Sequence, residues 1–429
     1  LLSQAQDSSL THSTLQLRAT MSAIRHPCLI MGQCPSNFEG RNTGPRQVGK
    51  TTLLWMCAEP GRNYVTLDDL DVRALARDDP GLFVQTYAPP LIIDEIQYAP
   101  NLFSYIKMRV DRSGQKAGMY WLTGSRKFSL MRGVTESLAG RVAIIDLLGL
   151  SQAESDNRAG QSSPFLPTDD WISNAAMTRT DALSHIHAIY KRIWQGSFPK
   201  VAGASPRQRD LYYRSYIQTY IQRDVRDARQ IANETVFYNF LVAVAARTGQ
   251  MLNHADLARD MAIDNKTAKS WLSVLEASGL IYLLRPYYRN ITKRLVKASK
   301  LFFLDTGLAS YLTKWTDPAS LEAGAMSGAM LETYCFADIL KSYWHHGQEA
   351  YFYYYRDRDQ REIDLVIETA DRFHPVEFKK TGTPSKSAAK HFPLLEKLGK
   401  PAGRGAVICL VEKPIPLSSE VTAIPVGYL

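Results

Sequence analysis

The chain has 429 residues, 45% hydrophobic and 22% charged, with a formal net charge of +9. That length accommodates about two to four domains of ~100–200 residues, and the composition excludes a disordered or fibrous chain. No apolar run approaches the roughly 18–20 residues of a membrane helix, so no membrane partner is expected, and the positive excess is compatible with nucleic acid without demanding it.

The five cysteines (Cys28, Cys34, Cys57, Cys335, Cys409) are scattered and form no CxxC pair. Neither a disulfide framework nor a zinc site is indicated, and a reducing cytoplasm is the expected setting. His185 and His187, and His345 and His346, have no acidic or cysteine partners at ligand spacing and read as surface or packing residues. Residues 3–20 are rich in Ser, Gln and Thr, without the basic and apolar segments of a secretory signal. Disorder is expected before about Met21, within an irregular region over residues 1–40.

The first chemical signal is GPRQVGKT, Gly44 to Thr51, which fits the pattern GxxxxGK[ST]. Glycines at both ends let the backbone curl so that its N–H groups face phosphates, a lysine supplies a mobile cation, and a Thr hydroxyl ligates Mg²⁺. The residues concerned are Gly44, Pro45, Arg46, Gln47, Val48, Gly49, Lys50, Thr51 and, in the helix that KTTLLWMCA predicts, Thr52. PPLIIDEIQ then reads as a buried parallel strand ending in Asp94 and Glu95. Asp94 would complete the Mg²⁺ shell, and Glu95 would polarise the attacking water. GMYWLTGSRK predicts a strand lying between those two, whose end (Thr123, Gly124, Ser125) offers a polar side chain to a γ-phosphate. With NYVTLDD (63–69) and RVAIIDLLGL (141–150), strands and helices alternate, which predicts a parallel sheet over residues 41–150. The approach to the loop is anomalous. SNFEGRNT is polar, and the nearest apolar run, CLIM (28–31), lies well upstream. Either an insertion separates the strand CLIM from the loop or the N-terminal region is scrambled; if CLIM does not reach the sheet, the first strand is missing and ATP binding is weakened.

Residues 151–172, rich in Ser, Asp, Pro and Gly, mark a boundary, and residues 151–235 read as a linker and helical region. RDLYYRSYIQTYIQRDVRDARQ (209–230) has helical periodicity, with Tyr216, Tyr220 and Val225 on the buried face. Arg214, Arg223, Arg226 and Arg229 with Asp224 and Asp227 read more readily as a solvated, salt-bridged face than as a DNA patch. Residues 236–290 contain ADLARDM, a turn at AIDN, a second helix KTAKSWLSVLEASG ended by Gly279, and the strand LIYLLRPY. That order is a helix-turn-helix with a wing. Asn265, Lys266, Lys269 and Ser270 would face DNA phosphates or base edges; a packing module of the same shape is the alternative.

The last segments, within residues 320–415, run helix (330–344), strand (YFYYYRD), strand (EIDLVIE), strand (HPVEFKK), helix (KSAAKHFPLLEKLG), strand (GAVICLVE). This αβββαβ order is the core order of PD-(D/E)XK nucleases. Asp364 and Glu377, with Glu332 on the preceding helix, would bind Mg²⁺, and Lys379 would activate water or steady the charged transition state. The alternative is an ordinary solvated strand face.

Together GPRQVGKTTLL, LIIDEIQYAP, WLTGSRKFSLM, SLAGRVAIIDLLGLSQAE, YIQRDVRD, FLDTGLASYL and REIDLVI…VEFKK resemble prokaryotic AAA+-like P-loop ATPases that carry a C-terminal domain of unknown function. The match runs from about Gly44 to Lys380. The resemblance implies ATP binding and hydrolysis, a winged helix and a nuclease-like fold. It maps the nucleotide site to Gly49, Lys50, Thr51, Asp94 and Glu95, and offers Arg141 of SLAGR as an arginine finger or sensor, a structural salt bridge being the alternative. Three functional readings follow: an ATPase coupled to a DNA-associated module; a nucleotide-sensing regulator whose nuclease-like domain only binds; and a copy without function. ATP and Mg²⁺ are the expected cofactors, and DNA and a second copy of the chain are candidate partners.

Overall fold

The computed structural model describes residues 39–43, 45–113, 118–124, 138, 142–178, 185–221, 234–290, 294 and 297–429. It divides into two compact units. One comprises the residues through Leu148 with Ala153–Ser162 and Trp344–Gln348, and the other Gly149–Gln152, Ser163–Tyr343 and Glu349–Leu429.

The first unit is built on a parallel sheet. Its strands are β1 (Glu39–Thr43), β2 (Asn63–Thr66), β3 (Leu91–Asp94), β4 (Tyr120–Thr123) and β5 (Val142–Asp146), in the spatial order β2-β3-β4-β1-β5. β4, which follows both motifs in sequence, lies between β3 and β1 in the sheet, the place expected for GMYWLTGSRK. β3 is buried along its whole length. Leu91 and Ile93 pack into one apolar cluster with Leu122, Phe83, Phe103 and Ile106. Ile92 faces the other way, against Leu54 and Trp121. A strand covered on both faces reads as a continuous apolar run, hence LIID. Each such side chain contributes roughly 1.5–3 kcal/mol on burial.

The expectation of a missing first strand is overturned. The polar EGRNT is itself β1, paired in parallel with Trp121–Thr123 on one side and with Val142–Asp146 on the other. Ladder hydrogen bonds depend on the backbone alone, so a strand flanked on both sides forms without an apolar sequence. The chain thus enters the loop from the middle of the sheet. CLIM lies outside the described residues.

In the second unit, the helix Pro206–Tyr220 begins at a capping box written in SPRQ. Ser205 accepts from the Gln208 N–H, and Gln208 accepts from the Ser205 N–H, with Pro206 at a position where a missing N–H costs nothing. Tyr216 and Tyr220 are buried on this helix as expected; Val225, Arg223, Arg226 and Arg229 lie outside the described residues. Arg209, 1% exposed, lies over the Trp194 ring at 3.8 Å. It donates to the carbonyls of Trp194 (2.9 Å) and Gly307 (3.0 Å). Asp305 caps the helix Thr306–Leu312 and accepts from the Leu308 N–H, the Tyr213 hydroxyl and the Ser197 N–H and hydroxyl. The FLDTGLASYL segment is therefore a packing node.

Next come the helix Glu234–Ala245, β6 (Gln250–Met251), the helices His254–Asp260 and Asn265–Ala277, β7 (Ile281–Leu284) and β8 (Lys300–Phe303). Asn253 and Asp264 cap the helices His254–Asp260 and Asn265–Ala277 with their side chains. The strands form an antiparallel sheet with β8 in the middle. Trp271 packs edge-on against Phe237 and Phe240.

The helix Ser327–Trp344 leads into a six-stranded sheet made of β9 (Phe352–Arg356), β10 (Glu362–Glu368), β11 (Phe373–Lys379), β12 (Gly405–Cys409), β13 (Ile415–Pro416) and β14 (Val421–Pro425). Its order is β13-β14-β12-β11-β10-β9. The sheet runs two strands beyond GAVICLVE, where the sequence reading ended it. β11 is buried from Phe373 to Phe378, so both its faces are covered rather than one. The helix expected over KSAAKHFPLLEKLG is replaced by two 3₁₀ stretches, Lys386–Ala389 and Phe392–Leu398; Pro393 has no N–H for an α-helical bond and clashes with the preceding turn.

Gly307 is required by close approach. A Cβ there would meet the Tyr213 hydroxyl at 2.2 Å, the Gln195 carbonyl at 2.5 Å and the Gly196 Cα at 2.5 Å. Gly307→Ala should destabilise the second unit by about 1–3 kcal/mol, seen as a lower urea midpoint; an unchanged midpoint would contradict the packing described.

Candidate nucleotide site and C-terminal carboxylate cluster

In a parallel sheet all strands end on the same edge. The loop after β1, Asp94 at the end of β3 and Thr123 at the end of β4 therefore share that edge. The loop takes left-handed backbone at Gln47 (φ 60°) and Gly49 (φ 91°), and fully buried Val48 anchors it. The helix Lys50–Cys57 starts immediately after, with no side-chain cap on its first N–H groups. Uncapped N–H groups and the positive end of the helix dipole make an anion site.

Lys50 is 7% exposed and donates from Nζ to the Pro45 carbonyl at 2.6 Å. Thr51 donates from Oγ1 to Asp94 Oδ2 at 2.9 Å, joining the two motifs across 43 positions. The Tyr64 hydroxyl donates to the same carboxylate oxygen at 3.0 Å, and burial together with Asp94's charge raises its pKa. Glu95 follows Asp94 in left-handed backbone (φ 56°) and accepts from Gln97 Nε2. Burial pushes its carboxyl up, while Lys50 and Arg46 draw it down less strongly. The Thr123 hydroxyl is buried, with the residue 1% exposed, and has no hydrogen-bond partner among the described residues. A buried donor at this edge, a buried lysine that donates to a loop carbonyl, and a hydroxyl–carboxylate pair fit a nucleoside triphosphate and its Mg²⁺. Gly44, Ser125 and Arg141 lie outside the described residues. Tyr64 was not foreseen; as one aromatic on an ordinary strand it carries no signal.

The C-terminal residues also converge. Asp364 on β10 and Glu377 on β11 are each 8% exposed. Asp364 Oδ2 accepts from the Phe378 N–H at 3.1 Å, and Glu377 Oε2 from the Asp364 N–H at 3.4 Å. Lys379 Nζ lies 2.8 Å from Glu377 and 4.0 Å from Asp364. A second lysine, absent from the sequence reading, organises the rest. Lys300 Nζ, on β8, lies 2.6 Å from Glu332, 2.9 Å from Glu362 and 3.0 Å from Asp364. Its side chain is 4% exposed. Burial alone would lower its pKa, but Asp364, Glu332 and Glu362 outweigh that and the net shift is upward. Burial and the neighbouring Asp364 raise Glu332 and Glu377, against the pull of Lys300 and Lys379. The one cue was a lysine heading the apolar strand KLFF, since a buried ammonium requires counter-charges.

Mg²⁺ needs oxygen ligands at about 2.0–2.1 Å in near-octahedral array. Glu332, Glu362 and Asp364 instead converge on an ammonium, and among the described residues no group of three or more His, Cys, Asp or Glu is arranged to hold a metal ion. As arranged, these residues do not fit a divalent cation. His345 and His346 are buried, and His187 is exposed and paired with Glu322.

Residues 43–155 match a family model described as an AAA domain. Residues 186–319 and 327–429 match two models each described as a domain of unknown function, DUF8612 and DUF4143. The uncharacterized proteins Mb2031c of Mycobacterium bovis and Rv2008c of Mycobacterium tuberculosis are each 28% identical over 391 residues, covering 90% of this chain and 80% of theirs. The Aeropyrum pernix ORC1 protein, solved in complex with DNA, aligns over 72% of this chain and 94% of its own at 14% identity and a TM-score of 0.25. The ORC2 protein of the same organism, in its ADP form, aligns over 67% and 88% at 13% identity and a TM-score of 0.28. Both superpositions are too loose to carry an argument. The AAA match, the parallel sheet and the loop geometry support a P-loop fold of the AAA type for residues 43–155.

The environment of Glu95 has a stability consequence. Its folded pKa is raised, so the unfolded chain loses the proton first as pH rises. Wild type should lose stability from the ordinary glutamate range up to the raised value. Glu95→Gln should not, so the variant should be the more stable at neutral pH and equal to wild type in acid. Thermal melts across that range check this; parallel curves would refute it.

Proposed function

We propose that the chain binds ATP, hydrolyses it with Mg²⁺, and couples the cycle to a DNA-associated C-terminal module. The observation that carries this is the 2.9 Å hydrogen bond from Thr51 to Asp94, which joins the loop and the strand-end carboxylate. Lys50 would exchange the Pro45 carbonyl for the β- and γ-phosphates. Thr51 and Asp94 would hold Mg²⁺, which supplies charge neutralisation on those phosphates when bound. Glu95 would orient the attacking water, and Thr123, with Ser125 beside it in sequence, would give a hydroxyl to the γ-phosphate. Arg141 is carried as an arginine finger, acting within the chain or toward a second copy. Lys50→Ala should abolish nucleotide binding. Glu95→Gln should bind ATP but lower turnover by about 10²-fold or more. Unchanged phosphate release in both variants would refute the reading.

For the DNA-associated part, support comes from the order helix, β6, two helices, β7, β8, which is that of a winged helix. Asn265, Lys266 and Lys269 are exposed. A cavity of about 820 Å³ lined by Asn265, Lys269, Arg285 and Lys297 lies beside them. If this face meets phosphates, Lys269→Ala should lower the salt slope of duplex binding by about 1; an unchanged slope in fluorescence anisotropy would remove this face from the reading.

The order of elements around Asp364, Glu377 and Lys379 supports a nuclease-like fold. Of the two readings of that fold, cutting and binding without cutting, the ion pairing of Lys300 favours the second. Plasmid incubated with Mg²⁺ or Mn²⁺ should remain intact. Cleavage that disappears in Asp364→Ala and Lys379→Ala would restore the first.

A further inference from the structure

We infer that Lys300 is a resident cation, standing in the carboxylate cluster where a divalent metal ion would otherwise bind. The inference rests on the non-cutting reading of the nuclease-like fold and deepens it.

Three carboxylates from two elements, Glu332 on the helix Ser327–Trp344 and Glu362 and Asp364 on β10, converge within 3.0 Å of one ammonium. The ammonium comes from a different sheet, on the central strand β8. Its register there is fixed on both sides, opposite Met251 and opposite Leu284. The edge of the same small sheet is tied to β9: the Tyr287 N–H donates to the Tyr354 carbonyl at 2.7 Å, and the Tyr354 N–H to the Arg285 carbonyl at 3.0 Å. The backbone that carries Lys300 is therefore held in register on both sides.

The other cations nearby have separate duties. Arg356 lies 3.2 Å from Glu362, and Lys379 serves chiefly Glu377. Neither sits between Glu332 and Asp364. Removing the ammonium would leave those two carboxylates and Glu362 facing one another in a half-buried space. Hard, anionic oxygen donors so placed take up Mg²⁺ or Mn²⁺. The cluster is thus a cation site filled by the chain itself, and the C-terminal domain holds its shape independently of metal.

The test is Mn²⁺ binding to the nucleotide-free full-length protein, read by the loss of the free-ion electron paramagnetic resonance signal. Wild type and Asp364→Asn should bind Mn²⁺ alike, because the cluster is closed to it. Lys300→Ala should gain about one Mn²⁺ per chain, and that gain should fall by at least about tenfold in affinity when Asp364→Asn is added. Mn²⁺ binding by wild type that Asp364→Asn removes would overturn the inference. So would a folded Lys300→Ala protein that takes up none, which would make Lys300 a structural staple only; if that variant also leaves plasmid intact, the non-cutting reading survives the loss. Lys300→Met, which keeps the stem and its packing, repeats the measurement if Lys300→Ala does not fold. If neither folds, the comparison of wild type with Asp364→Asn decides.

Discussion

The Lys300 ammonium is withdrawn from water and ringed by Glu332, Glu362 and Asp364. Desolvating such a charge costs several kcal/mol, which only close counter-charges and hydrogen bonds offset. That constraint shapes the second unit. It brings the helix Ser327–Trp344, β10 and β8 to one point, although they are far apart in the chain. The same rule acts at Arg209, whose guanidinium is covered by the Trp194 ring and satisfied by two backbone carbonyls. It acts again at Asp305, which collects donors from Ser197, Tyr213 and Leu308. Apolar burial stabilises these elements, but many apolar arrangements would do so about equally well. Buried charges admit few partners, and so they select one arrangement.

The legible parts of the fold were those whose signal is local. LIID declared a strand buried on both faces, and GPRQVGKT declared its loop by glycine and lysine spacing. GMYWLTGSRK was expected between the two motif strands, and β4 lies there, between β1 and β3. β1 was illegible because its order comes from backbone pairing on both sides, which side-chain hydropathy does not record. The break at Pro393 was legible in principle but was outweighed by the helical spacing around it. Strands β13 and β14 are short or late and leave little periodicity.

For the candidate sites the division is similar. Asp94, Glu95, Lys50 and Thr51 sit in contiguous motifs, and the Thr51–Asp94 hydrogen bond joins the two motifs. Asp364, Glu377 and Lys379 were legible because alternation on neighbouring strands puts them together. Lys300 was not, because its partners lie up to 64 positions away and nothing in KLFF names them. A partner that far along the chain is a property of the fold.

The two buried lysines show why similar chemistry serves different ends. Lys50 donates to the Pro45 carbonyl, a neutral acceptor on the loop itself. A phosphate oxygen is a stronger partner for an ammonium than a carbonyl, since charge-assisted hydrogen bonds are roughly twice as strong as neutral ones. The contact with the Pro45 carbonyl is therefore one that a phosphate can replace. Lys300 already has three anionic partners, and an incoming anion would have to outbid all of them inside a packed sheet. Its partner set is saturated, so it holds the domain together. On electrostatic grounds the Lys50–Pro45 contact is exchangeable and the carboxylate cluster is fixed.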